Sequence, residues 1–488
     1  MEGLSRSGRK AFGAANQAYQ AKDMDQALVL YNQLLEKNPD FAPGYVNRAL
    51  VRARKGDRQG ALDDLNRAIE HNPRLADAWY NRASILDDMG QYEKAIEDYT
   101  KAAELRENLY QAYYNRGNAW YRLGEVDRAI TDYSRVLKAN PDYAMAYYNR
   151  GTAWSQKGDA TEALADYDRA IALDPNLGMA YVNRGSIWLE KGDLQKALSD
   201  SDRAVALSPD DPWAYHNRAL ARRLTGDYPG AVADATQAVT LSPDFTDAWF
   251  NRGMAQALLG RHEEALLDFS RTLSLAPGDI RARLAQGDSL TFLGRPTEAL
   301  LEYAGVLKEH PGHPEALKQQ GRALAMAGAP DAALKSLEES KKAKPGDPET
   351  WLFTGQVLYA RGDWAMALEN YRKALALAPR MAKAYNNLAW IRAACPDPAF
   401  RDPEEAVRLA RRAVSIEPFF AYVDTLAAAL ASAGKFEDAA ETQRKALLLG
   451  ATRDSAFATP SQLADMRKRL SAYENGRPWN DQPKGRLP

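Results

Sequence analysis

Cysteine is almost absent from this chain of 488 residues. Cys395 stands alone, which excludes an internal disulfide and any metal site built from several thiolates of one chain. It lies in CPDP, a turn-forming context, with no histidine near it in sequence to act as an activating base. Histidine is scarce too, five in all; His310 and His313 fall in EHPGHP, where proline and glycine make a surface loop and no third ligand is close in sequence. An excess of either charge is missing: 64 Lys and Arg against 65 Asp and Glu leave a formal charge of -1. No overall positive field therefore exists to hold nucleic acid or an anionic membrane. No stretch approaches the roughly 18 apolar residues of a membrane span, and the opening MEGLSRSGRKAFGAANQ carries no apolar run suited to a leader, so a cytoplasmic protein is the expectation. The motifs GxxxxGK[ST] and HExxH are absent, and GDS at Gly287 to Ser289 sits inside a helical pattern rather than at a nucleophile elbow. A non-catalytic chain without cofactor or metal is expected.

What is there is repetition, with a period of 34 residues. Asn47, Asn81, Asn115, Asn149, Asn183, Asn217 and Asn251 each follow the last by that step, with no insertion. If this asparagine is position 6 of each unit, position 20 is alanine from Ala27 through Ala163 to Ala367, and position 8 is small from Ala49 through Gly151 to Gly355. Two helices meeting at small residues bring their backbones close. Position 4 is usually Tyr or Trp, as at Tyr113, Tyr147 and Trp249, and is expected to fill the remaining wedge. A glycine recurs at position 15, where a helix hairpin reverses, and a proline at position 32, where the second helix has ended.

Aromatic at 4, small at 8, glycine at 15, alanine at 20, aromatic at 24 and proline at 32 together resemble the tetratricopeptide repeat (TPR), over residues 8 to about 450. The resemblance implies an all-α fold, an α-α superhelical solenoid of about thirteen helix-turn-helix units. The expected segments are a capping repeat at 1–41, a regular array at 42–279, divergent units at 280–347, and further units at 348–450 with an extended loop near 395–405, where CPDPAFRDPEEA replaces the glycine turn. A closing helix and basic tail fill 451–488. The tail's Arg467, Lys468, Arg469, Arg477, Lys484 and Arg486 read as a solvated end.

At 100° per residue, positions 4, 7, 8 and 11 of the first helix cluster on the packed side, and 2, 5, 6 and 9 lie on the other. Position 7 is Arg48, Arg82, Arg116, Arg150, Arg184, Arg218 and Arg252. An unpaired charge on the packed side costs several kcal/mol, so each arginine needs a partner. Position 23 offers one in the same units: Asp64, Asp98, Asp132, Asp166, Asp200, Asp234 and Asp268. Columns that start and stop together suggest a structural ion-pair ladder, within each unit or to the following one.

The position 6 asparagines face the other way, onto the side a TPR superhelix makes concave. A carboxamide carries a donor and an acceptor and can bond the backbone of an extended peptide. Such a column resembles the groove of the TPR region of eukaryotic O-linked N-acetylglucosamine transferase, which implies peptide binding there; that enzyme's catalytic domain has no counterpart here. Beside it, Tyr80, Tyr114, Tyr148 and Phe250 at position 5 are candidate anchors. The alternative is that the asparagine bonds a neighbouring helix of the repeat itself. The repeat class that clamps a chain-terminal carboxylate is not matched, because Lys318 and Arg322 are followed by Phe353 where Asn is required. The function expected is that of a scaffold binding an extended segment of a partner protein. The alternative is a subunit of a larger complex, or a homo-oligomer, that docks through its divergent C-terminal repeats. Neither nucleic acid nor membrane is an expected partner.

Overall fold

The computed structural model describes residues 4–451 and 458–479, and these hold twenty-seven α-helices, one turn of 3-10 helix and no strand. The chain divides into two compact units, Met1–Pro243 and Asp244–Pro488. Each unit is a row of antiparallel helix hairpins. A representative hairpin pairs Ala144–Lys157 with Ala160–Leu173. Gly158 between them has φ 85°, which an L side chain takes only at a steric cost, and the Asp159 side chain accepts from the Glu162 N–H to start the second helix. This turn explains why position 15 is glycine.

Position 20 alanines are buried where paired helices meet, as at Ala129, Ala163 and Ala197. The small residue at position 8 has a different neighbour from the one the sequence suggests. Over Gly117, Gly151, Gly253 and Gly355 lies the ring at position 24 of the same unit: Tyr133, Tyr167, Phe269 and Tyr371. A Cβ on Gly253 would stand 2.7 Å from Phe269 Cε1, and one on Gly355 would stand 2.5 Å from Tyr371 Cε1. The wedge is therefore filled by position 24, whose rings are fully buried, while most position 4 rings are only half-buried. Those outer rings receive instead the guanidinium three residues on; Arg150 lies 5.6 Å from the Tyr147 centroid and Arg252 4.6 Å from that of Trp249.

In the second unit the loop after Ala382–Ala394 is ordered by its own arginines. Arg401 Nε donates to the carbonyl of Cys395 at 2.6 Å, and Arg392 Nη1 to that of Phe400 at 3.0 Å. Cys395 is buried at the helix end. The last hairpin, Phe420–Ser432 with Phe436–Ala451, is covered by Pro460–Glu474, which starts with a capping box of Thr459 and Gln462. The basic tail is not simply a solvated end: Arg469 pairs with the buried Asp424 through Nε and Nη2 at 2.9 and 2.8 Å. The pairing closes the repeat row with a charge-assisted fork. Lys484 and Arg486 lie outside the described residues.

Candidate functional site

Two networks run through the repeats, one on each side of the first helix. On the packed side each position 7 arginine forks onto the position 23 aspartate of its own unit. Arg48, Arg82, Arg116, Arg150, Arg184, Arg218 and Arg252 reach Asp64, Asp98, Asp132, Asp166, Asp200, Asp234 and Asp268 in turn, with Nε and Nη2 contacts of 2.6 to 2.9 Å. The remaining nitrogen does something the sequence did not suggest. In the first unit Nη1 crosses to position 25 of the preceding repeat, where Asn32, Asn66, Thr100, Ser134, Asp168 and Asp202 accept it at 2.6 to 3.0 Å. One guanidinium thus joins three helices and ties consecutive repeats together. No single residue type marks this column; its members share only a short side chain that carries an acceptor oxygen. Hydrogen bonds to Asp166 hold the Arg150 guanidinium above its usual range.

On the other side stand the asparagines, and the structure divides them. Asn115, Asn149 and Asn183 donate Nδ2 to the phenol of Tyr80, Tyr114 and Tyr148 in the preceding repeat, at 3.1, 2.8 and 3.3 Å. Asn47 and Asn149 also donate to Oδ1 of Asn16 and Asn118 at position 9 of the preceding repeat, both at 2.9 Å. Asn217 follows Val182, which has no hydroxyl, and donates instead to its backbone carbonyl at 3.0 Å. Asn217 and Asn251 are buried. Asn81 follows Val46 and Leu50 at those two positions, and it has no hydrogen-bond partner among the described residues. What an asparagine does is thus set by positions 5 and 9 of the repeat before it.

The position 5 aromatics are half-buried and lean on the position 24 ring of their own repeat, with Tyr80 to Tyr99 at 5.8 Å and Tyr148 to Tyr167 at 6.0 Å. They do not stand out as free anchors. Phe250 packs in the same way on Phe269 and is capped by Arg281 at 4.9 Å. Because Tyr114 accepts from Asn149, Tyr114→Phe is expected to cost about 1 kcal/mol through the stranded donor, read as earlier unfolding of the first unit; an unchanged midpoint would show that Asn149 is satisfied by Asn118 alone.

Positions 2, 5, 6 and 9 line two recesses in the first unit. One, of about 380 Å³, holds Asn47 and Asn81 among Val46, Leu50, Leu75, Tyr80 and Leu109. The other, of about 330 Å³, holds Asn183 and Asn217 beside Met179, Val182 and an exposed Trp213. Lys318 of the second unit, considered above for a carboxylate clamp, is buried and already held by Glu315, Glu349 and Asp347 at 2.9, 2.7 and 3.4 Å. Its charge is spent. Among the described residues no group of His, Cys, Asp and Glu is placed to hold a metal ion, and no helix is long and apolar enough to cross a membrane.

Helix hairpins recurring every 34 residues over most of the chain, seven of them closed by the same guanidinium fork, define an all-α helical-repeat protein. The chain belongs to the tetratricopeptide repeat family. Sequence models described as tetratricopeptide or TPR repeat match residues 12–40, 76–109, 114–178, 158–212, 216–280, 284–348 and 355–391. No curated protein matches the chain. Among solved structures it is similar to the APC/C hetero-tetramer Cut9–Hcn1, at 16% identity over 88% of this chain and 97% of that one, TM-score 0.47. It is similar to YrrB, described as a TPR protein with an unusual peptide-binding site, at 24% identity over 38% and 96%, TM-score 0.34. A tetratricopeptide repeat protein from Parabacteroides merdae ATCC 43184 is similar at 21% identity over 51% and 98%, TM-score 0.40.

Proposed function

We propose that the chain is a non-catalytic scaffold whose first unit holds an extended polypeptide of a partner protein along positions 2, 5, 6 and 9. The observation that carries this reading is Asn81. Its carboxamide has no protein partner and lies in the recess with Val46, Leu50, Leu75, Tyr80 and Leu109. A peptide carbonyl can accept from its Nδ2, a peptide N–H can donate to its Oδ1, and the apolar lining can take the side chains between them. Asn47, Asn115, Asn149, Asn183 and Asn217, positioned through Nδ2 by the preceding repeat, keep Oδ1 as a fixed acceptor, since none of these oxygens accepts a bond among the described residues. Asn47, Asn115, Asn149 and Asn183 add rungs in this reading, whereas Asn217 is buried and bonded to the preceding repeat, and Asn251 is buried.

Asn81 is also the clean test, because removing it breaks no internal bond. Peptides selected by the full chain from a random display library are expected to bind Asn81→Ala about tenfold more weakly, the worth of one or two amide hydrogen bonds, with the unfolding midpoint unchanged. Failure to enrich any peptide, or equal binding by the variant, counts against the reading. A second reading, docking of a further subunit or a second copy through the second unit, is favoured by Leu267, Phe292 and Leu301. These apolar side chains are about two-thirds or more exposed, and Leu267 and Leu301 occupy the same position in successive repeats.

A further inference from the structure

Two leucines of the second unit face solvent in one register. Leu267 and Leu301 both stand at position 22, in the eighth and ninth repeats, and are 72% and 71% exposed. Their helices are His262–Leu275 and Pro296–Glu309. The first buries Ala265, Phe269 and Thr272 and the second Ala299, Tyr303 and Val306, so at 100° per residue each leucine points away from the packed side. The pair is bounded: position 22 is Ser199 and Ala233 in the two repeats before and Lys335 and Glu369 in the two after. Each exposed leucine forgoes about 1.5–3 kcal/mol that burial would supply. Phe292 differs, because its ring already stacks on His262 with centroids 3.9 Å apart.

The charges around the leucines say what fits over them. Glu264 lies one turn before Leu267 and Arg271 one turn after it; Glu298 lies one turn before Leu301 and Lys308 two turns after it, and all four are exposed. Glu298 also binds Arg295 at the helix start, at 2.6 Å. The order acid, leucine, base is thus the same in both helices, and second helices of successive hairpins run in the same direction. A two-fold axis that brings a second copy onto this face lies in the plane of contact, either along the helices or across them. Along them, Leu267 meets the partner's Leu301 with the helices parallel, and acid faces acid. Across them, each helix meets its own counterpart antiparallel: Leu267 covers the partner's Leu267, Glu264 faces the partner's Arg271, and Glu298 faces the partner's Lys308. Only the second arrangement is complementary in charge. The formal charge of -1 leaves no long-range repulsion between copies. Two helices of fourteen residues, each about 21 Å long and about 10 Å across, offer about half of the ~800 Å² per partner in a standard interface, so the contact belongs to the weak class.

We propose that the second helices of the eighth and ninth repeats pair two copies of this chain, antiparallel, about a two-fold axis that crosses them. The inference rests on the second reading above, to which it gives a partner, and it does not require the peptide reading of the first unit. It is tested by sedimentation of the full chain over a range of concentrations. The expected result is a reversible dimer with a Kd of about 10–100 µM, as suits a small contact. Leu267→Lys is expected to weaken it at least about tenfold with the unfolding midpoint unchanged, since the side chain is exposed. Glu264→Lys and Arg271→Glu each set like charges against one another at both ends of the pair, so each variant alone is expected to dimerise at least about tenfold more weakly. An equimolar mixture of the two is expected to dimerise like the wild type, because in the mixed pair opposite charges meet again. A chain that sediments as a monomer throughout overturns the inference and leaves the second reading with a further subunit as the occupant. A dimer indifferent to Leu267→Lys overturns it by placing the contact elsewhere, and a dimer tightened by Glu264→Lys alone overturns it by showing the parallel arrangement. Asn81→Ala leaves the sedimentation unchanged whether or not the first unit binds peptides, so the two readings fail separately.

Discussion

Replacing Arg150 with alanine is expected to destabilise the first unit by about 3–5 kcal/mol, the cost of leaving a buried charge without its partner. Asp166 is 5% exposed and receives Arg150 Nε and Nη2 at 2.8 and 2.7 Å; without them its carboxylate has no counter-ion in the hairpin Ala144–Lys157 and Ala160–Leu173. The same change releases Ser134 of the preceding repeat, held by Nη1 at 3.0 Å, so adjacent repeats loosen together. Arg150→Lys keeps the charge but loses the planar fork, and falls between the two. The double variant Arg150→Met with Asp166→Leu recovers most of the loss, because removing both ions removes the desolvation cost along with the attraction. The pKa of Arg150 is raised by its bonds to Asp166, so the guanidinium's contribution is fully present at neutral pH and is lost on the basic side as pH rises through the higher folded value. The guanidinium therefore adds no pH dependence near neutrality. Amide hydrogen exchange across residues 144–173 reads the effect locally, which suits a repeat array that need not unfold in one step. Protection within about 0.5 kcal/mol of wild type in Arg150→Ala, the range of an ordinary surface change, would remove the ladder as a source of stability.

Phe269→Ala in the second unit should cost about as much, roughly 3–5 kcal/mol for a large ring removed from a packed interior. Phe269 is fully buried and lies on the bare backbone of Gly253. The partner substitution carries the diagnostic. Glycine to alanine in mid-helix normally gains about 1 kcal/mol, but the new methyl of Gly253→Ala would stand 2.7 Å from Phe269 Cε1 and 3.1 Å from Asp268 Cβ. Overpacking of that kind costs about 1–3 kcal/mol, so the sign reverses. In the Phe269→Ala background the closest obstruction is gone and only the milder contact with Asp268 Cβ at 3.1 Å remains, so Gly253→Ala is expected to be much less costly or stabilising. A double-mutant cycle by chemical denaturation that found the two changes additive would mean the ring and the glycine do not restrict each other.

Much of this was legible in one dimension. A strict period with glycine at 15 and alanine at 20 leaves helix hairpins as the economical solution, because each residue type answers a backbone or spacing demand made at the same place in every unit. The arginine and aspartate columns could be matched because they run in step 16 residues apart, and a column of one residue type is visible without coordinates. The acceptors at positions 9 and 25 were not visible. Asn16, Asn118 and Thr152, or Asn32, Thr100, Ser134 and Asp168, share only a short side chain with an oxygen, and no single letter marks that.

By itself, then, the sequence determined the hairpin, its repeat and the ion pairs closed within one unit, since those depend on residues a fixed and short distance apart along the chain. Only the tertiary structure decided which asparagines are spent and which are open. Asn149 and Asn81 occupy the same position and read identically, yet one is bound by Tyr114 and Asn118 while the other faces Val46 and Leu50. The hydrogen-bonding state of a carboxamide belongs to the atoms that stacking brings to within about 3 Å of it, and those come from the repeat before.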